Sequence, residues 1–354
     1  MTAAAPPAYA AIAMQLTAQS ADHCADRSAV AAHVRSMTDA LAGKIRAAAI
    51  FVTQYGGTPV RLVVLPEYLF TSYPGRIGIA DYADRVAFDM DGGEYAALGA
   101  LAAAQNIYLA VNAYERDPHF PGLYFQACVL LAPDGGVALR YRRLNSMFAP
   151  TPHDVWDRYL DIYGQAGVFP VADTEIGRIA AIASEEILYP EIARAHALRG
   201  AEIFVHNSSE IGSPLATPKA IAKRARAFEN AAYVVSANTA GISGTALPMA
   251  SADGNSMVVD YKGAVLAESN GGETFTAAAD IDLAALRAHR RKPGMTNMLA
   301  RQRLGLFAAS YATDDHQAAN MMLDGDGNIA VPDRDQFLRR HEAVIARLDK
   351  DGLI

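Results

Sequence analysis

Along most of the chain, short apolar runs alternate with longer stretches whose apolar residues recur every three or four positions. Residues 9–16 form a short apolar run and read as a first buried strand. Over about 26–55, Val30, Val34, Met37, Leu41 and Ile45 share one face at helical spacing, and Gly56-Gly57 ends the pattern. Residues 60–65 are apolar except for Arg61 up to Pro66, as in a strand buried on both faces. A second cycle places a helix over 95–105, a strand over 108–114, and a strand over 125–132 closed by the turn Pro133-Asp134-Gly135-Gly136. A third runs from a strand over 179–183 through a helix over 190–199, closed by Gly200, to a strand over 203–206. A fourth helix over Pro218–Asn230 leads to a strand over Tyr233–Ala237. Residues 256–260 and 264–267 flank Tyr261-Lys262-Gly263 as a hairpin. From about Leu283 the chain is more polar and holds further helical segments. The alternation implies α/β layering, with no clean linker and no fixed-period repeat. Periodicity alone does not choose between a doubly wound sheet and two stacked sheets with helices outside.

Composition narrows the function. At 354 residues and 51% hydrophobic, the chain can bury a large core in one α/β unit. A formal net charge of −7 without a basic block argues against nucleic acid, because neutralising phosphates takes clustered Lys and Arg. The short clusters Arg140, Arg142, Arg143 and Arg290, Arg291, Lys292 read as solvated surface or local ion pairs. No apolar run approaches the roughly 20 residues that span a bilayer, so no membrane partner is expected. The Ala-rich start lacks a basic region and reads as a strand, not a signal peptide. Two cysteines, Cys24 and Cys128, are too few for a disulfide framework or a zinc site. The expectation is a cytoplasmic protein with no metal or cofactor. Residues 325–328 read as a turn, since a calcium loop would need a closing Glu that is missing.

Four segments in order carry a resemblance. They are Leu65-Pro66-Glu67-Tyr68; Asp134-Gly135-Gly136 with Arg140-Tyr141-Arg142-Arg143-Leu144; residues 182–191 running on to Arg199-Gly200-Ala201-Glu202; and Arg224 to Asn230 with 234–238, Gly254-Asn255-Ser256 and Asp260. Together they resemble the nitrilase superfamily of carbon–nitrogen hydrolases over roughly residues 9–285. The resemblance implies a four-layer αββα sandwich for residues 1–285, with 286–354 as a C-terminal extension. It also implies back-to-back packing through the helix over 190–199 and the tail, hence a homodimer or larger homo-oligomer. The family's chemistry uses a Glu–Lys–Cys set, often with a second Glu, on nitriles or amides of small molecules.

Carried over residue by residue, Glu67 falls on the general-base Glu. Arg143 falls on the Lys; Arg142 is one place away, and either register gives an arginine that cannot release a proton. Ser184 falls on the Cys, and Glu186, Tyr189, Pro190 and Glu191 keep the surrounding frame. The second Glu belongs near 149–152, which reads Ala-Pro-Thr-Pro, so His153 or Asp154 stands as an alternative proton-transfer group. Three simultaneous departures fit natural divergence better than one laboratory substitution. Tyr68, Trp156, Glu185, Tyr189, His206 and Asn207 are the expected substrate contacts around the pocket.

A serine hydroxyl is far less acidic than a thiol and needs a base or a strong positive field. Three readings stay open: Ser184 attacks the substrate with Arg143 on the oxyanion; Glu67 activates water while Ser184 orients the substrate; or hydrolysis is lost. The expected function is a hydrolase of a small non-peptide amide or related C–N bond. The alternatives are a silent binding or subunit protein, and acyl transfer.

Overall fold

The computed structural model describes residues 5–210, 217–252, 254–313 and 316–354. The long amphipathic stretch forms the helix Arg27–Gly56; the Asp26 side chain accepts from the Ala29 N–H at 2.9 Å, and Gly57, at φ 77°, ends it in a left-handed turn. The strand Val60–Val64 and the helix Pro218–Asn230 with its strand Tyr233–Ala237 form where the pattern places them. The hairpin expected after residue 255 is the antiparallel pair Met257–Val259 and Val265–Glu268. The first apolar segment divides into Tyr9–Ala13 and Leu16–Gln19, and the second piece pairs in parallel with Thr239–Ser243.

Two larger sheets dominate. One runs in the order Ala278–Ile281, Tyr9–Ala13, Val60–Val64, Tyr108–Arg116, Phe125–Leu131, Val137–Arg142, with Phe88–Asp89 paired to the far end of Tyr108–Arg116. The other runs Val265–Glu268, Met257–Val259, Tyr233–Ala237, Ile203–Asn207, Gly177–Ala183, Ala172–Thr174. Strand alternation then sorts the first sheet's side chains. Ile12, Val63, Leu109, Val111, Ala127 and Val129 join a core with the helices Arg27–Gly56 and Gly93–Gln105. Ala11, Leu62, Val64, Ala110, Cys128 and Leu130 instead join a core with Ile179, Ala181, Val205 and Val235 of the second sheet. The helices Pro190–Leu198, Pro218–Asn230 and Leu283–Arg291 add Ile192, Ala227 and Leu286 to that second core. The layers are therefore helix, sheet, sheet, helix, the αββα sandwich.

Asn207 ties the sheets: its Nδ2 donates to Leu65 O at 2.7 Å and to Ala110 O at 3.3 Å. The Glu67 N–H also donates across to Ser208 O at 3.1 Å. Loops at the carboxyl ends of strands from both sheets thus meet at one rim, where sites in α/β sheets usually lie.

The helix Leu283–Arg291 crosses residue 285, with Leu283 and Leu286 buried. Beyond it the chain returns to the rim. Met322 and Phe337 are buried in the first core, and Arg340 on the helix Asp335–Lys350 pairs with Asp154. Among the described residues no helix is long and apolar enough to cross a membrane.

Candidate active site

A pocket of about 560 Å³ opens at the rim. Glu67, Tyr68, Arg143, Ser184 and Glu185 line it, together with Tyr73, Tyr114, Phe148, Lys219 and Arg334. Glu67 enters just past the end of Val60–Val64 and is 3% exposed. Its Oε1 accepts from Gln126 Nε2 at 2.7 Å, and Arg143 Nη1 lies 3.7 Å away. Gln126 is the hinge of this set, because its Oε1 accepts from Arg143 Nη1 at 2.7 Å. Asn112 Oδ1 completes it, accepting from Gln126 Nε2 and from the Tyr68 N–H, both at 3.1 Å.

Arg143 donates through Nε to Asn145 O at 2.6 Å and forms an ion pair with Glu185. The loop that carries it is pinned by Glu186, which accepts from the Leu144 and Asn145 N–H groups at 2.8 and 3.0 Å and from Tyr141 OH at 2.7 Å. Burial pushes the Glu186 carboxyl above its ordinary range. Arg142 points the other way, between Glu115 at 2.9 Å and Asp117 at 2.7 Å, so Arg143 is the arginine of the pocket.

Ser184 sits where the strand Gly177–Ala183 turns into a short helical turn, at φ 49°. A β-carbon-bearing residue in the left-handed region costs on the order of 1–2 kcal/mol, so the fold must hold it there. His206 supplies a restraint: Nε2 bonds to Ser184 O at 2.8 Å and Nδ1 to Ser236 Oγ at 2.8 Å. The buried ring is held far less basic than a free histidine, chiefly by desolvation. Because Ser184 O is an acceptor only, Nε2 carries the proton and Nδ1 accepts from the Ser236 hydroxyl.

The Ser184 hydroxyl faces Lys219. Lys219 Nζ lies 3.0 Å from Ser184 Oγ, 3.4 Å from Ser208 Oγ and 2.8 Å from Ser209 O. Burial lowers the Lys219 basicity, against the opposing pull of Glu67, Glu210 and Glu185. Thr217, the N-cap of Pro218–Asn230, accepts from the Ala220 N–H at 3.1 Å and so fixes the turn that carries the lysine. Sequence reasoning missed Lys219, and nothing local distinguishes it from a solvated lysine in a first helical turn. It also missed Gln126, which did leave a signal as the one polar residue in the buried run Phe125–Leu131.

Of the expected substrate contacts, Tyr68 and Glu185 line the pocket. Four others lie outside it. Trp156 is half-buried at the start of Trp156–Tyr163, tilted against His153 at 5.9 Å. Tyr189 is 45% exposed and faces a neighbouring groove with Phe337 and Arg340. His206 and Asn207 are fully buried behind the rim, spent on Ser184 O and on the sheet–sheet bonds. The alternative proton carriers also fall away: Asp154 accepts from Thr151 N and Oγ1 at 2.8 Å, and His153 faces the neighbouring groove. A 3.6-residue pitch and a loop's sequence do not reveal which way these side chains turn. Neither cysteine lines the pocket. Cys128 is buried between the sheets, 3.2 Å from Asn112 Nδ2, with its thiol pushed up by burial; Cys24 lies in the core beneath the helices.

The rim of the αββα sandwich thus carries a carboxylate, an arginine and a serine bonded to a lysine. The chain belongs to the carbon–nitrogen hydrolase family, whose model matches residues 10–291. It is similar to a formamidase of Pseudomonas syringae pv. syringae, 28% identical over 211 residues, 59% of this chain and 56% of that one. It is also similar to an omega-amidase of Bos taurus, 26% identical over 233 residues, 66% of this chain and 80% of that one. Its fold is shared by a carbon–nitrogen hydrolase from Helicobacter pylori G27, at 22% identity and a TM-score of 0.61, over 86% of this chain and 98% of that one. The chain spans 56% to 61% of the length of formamidase relatives.

Proposed function

We propose that this protein hydrolyses the C–N bond of a small non-peptide amide. In this reading Ser184 occupies the family's cysteine position as nucleophile, Glu67 moves protons, and Arg143 holds Glu67 and Glu185 in place. One observation carries it: Glu67 and Ser184, brought by different sheets, line the same pocket. Among the described residues Glu67 Oε2 has no hydrogen-bond partner, which leaves that oxygen for substrate or water. The family membership and the amidase relatives support an amide over an ester or a phosphate. Tyr68, Tyr73, Tyr114 and Phe148 give the pocket apolar walls, and its volume suits a substrate with an apolar or aryl portion rather than the smallest amides.

A panel of aliphatic and aryl amides with ammonia detection tests the reading. Turnover should vanish in Ser184→Ala, and Glu67→Gln should lose about 10²–10⁴-fold, the usual worth of a general base. Retained turnover in Ser184→Ala with loss in Glu67→Gln would move the attack to a Glu67-activated water. No turnover on any amide by a folded protein would leave a binding role as the better reading.

A further inference from the structure

Ser184 needs a group that removes its proton, and the geometry around Oγ narrows the choice. His206 spends both ring nitrogens on Ser184 O and Ser236 Oγ. Arg143 cannot deprotonate in a protein, and its guanidinium is tied to Asn145 O, Gln126 and Glu185. Lys219 is the one titratable side chain hydrogen-bonded to Ser184 Oγ among the described residues.

We infer that Lys219, as the neutral amine, takes the Ser184 hydroxyl proton and that the two form a serine–lysine dyad. This rests on the hydrolase reading above. The Oγ–H proton passes to Nζ while Oγ forms a bond to the amide carbon and the C=O π pair moves onto oxygen. Collapse breaks the C–N bond, and the leaving nitrogen takes a proton from the Lys219 ammonium. Deacylation falls to Glu67: water attacks the acyl ester and gives a proton to the Glu67 carboxylate, and Oγ leaves with that proton.

The surroundings suit the role. Lys219 lies in the fields of three carboxylates, Glu67, Glu185 and Glu210, and of the cations Arg143 and Lys223; His206 stands behind as a neutral ring. Desolvation is the largest influence and favours the amine. Ser209 O, which can only accept, fixes one N–H of Nζ and turns the nitrogen toward Oγ. The left-handed backbone at Ser184 presents its side chain at the rim, as strained strand-to-helix turns do for nucleophiles in other hydrolases.

The test uses the full chain and phenylmethanesulfonyl fluoride, which labels an activated serine whatever amide the enzyme prefers. Intact mass and peptide mapping report the label on Ser184, and melting temperatures report folding. Wild type should be labelled, at a rate that rises with pH through a limb below the ordinary lysine range. Lys219→Arg keeps the positive charge and cannot act as a base, so labelling should fall about 10²–10⁴-fold and the limb should vanish. Lys219→Ala should fall as far, and added primary amines should restore part of the rate in order of their basicity. A Lys219→Arg protein labelled within a few-fold of wild type, with the same limb, would overturn the inference, as would an unlabelled wild type. Lysine-dependent labelling without turnover of any amide would sink the amidase reading and keep the dyad.

Discussion

His206 Nε2 holds the backbone carbonyl of Ser184 at 2.8 Å and makes no bond to its hydroxyl. The imidazole therefore bears on the serine's backbone and not on its hydroxyl, although it stands beside that residue. His206→Ala would leave Ser184 O and the Ser236 hydroxyl unpaired in a dry site, at about 1–3 kcal/mol each. A drop of that size in urea unfolding, with a lower kcat, is expected. An unchanged pH profile in a milder variant, His206→Gln, should accompany it; loss of a limb near pH 6.5 in that variant would contradict the assignment.

Buried imidazoles also set the acid limit. His196 and His206 are both 0% exposed; burial lowers His196 to about 3 and His206 well below its ordinary value. In the unfolded chain both titrate near 6.5. The folded value is the lower one, so stability is full above about pH 7. It declines as pH drops through the unfolded value and levels off for His196 only near pH 3. The urea midpoint should fall between pH 7 and pH 5, a window above most carboxylate titration. A flat midpoint there would show that these rings are not neutral in the fold.

Asn207 joins the sheets through Leu65 O and Ala110 O, and Leu65 lies two residues before Glu67. Asn207→Leu should cost about 1–3 kcal/mol by stranding those carbonyls. It should also lower kcat more than it raises KM, because Glu67 moves while the pocket walls stay. Steady-state kinetics beside urea denaturation check both parts.

Arg334 brings the C-terminal segment to the pocket. Its guanidinium donates to Phe148 O and Tyr124 OH, both at 3.1 Å, and to Ile77 O. Removing it frees the wall formed by Phe148 without touching Ser184 or Glu67. Arg334→Ala is expected to raise KM roughly tenfold or more, from hydrogen bonds to a charged group worth about 1.5–3 kcal/mol. The kcat should change by less than a few-fold; a large kcat loss with KM unchanged would place Arg334 in the chemistry instead.

Leu198, Leu304, Leu306, Phe307 and Tyr311 are 43–70% exposed along the helix Pro190–Leu198 and the tail that crosses it. Apolar side chains gathered on one face are costly in water. Light scattering at micromolar concentration should give the mass of a dimer or larger, and Phe307→Asp should shift it toward the monomer.

The amino-acid pattern by itself determined the alternation of strands and helices. Helices such as Arg27–Gly56 and Pro218–Asn230 and strands such as Val60–Val64 follow from local spacing and caps, which neighbours in sequence settle. It did not reveal Thr239–Ser243, a short half-polar strand whose partner Leu16–Gln19 is more than two hundred residues away. Glu67 and Ser184 each follow a readable strand inside a recognisable motif, and the fold sets both on one pocket. Lys219 was not, because a lysine in a first helical turn reads as solvated until the fold sets it 3.0 Å from Ser184 Oγ. Trp156 and Asn207 erred the other way: their chemistry suited a pocket, but side-chain direction depends on which face of an element meets the core. Secondary structure is a property of short-range sterics and hydrogen bonding, whereas a site is built from residues that only long-range packing brings together.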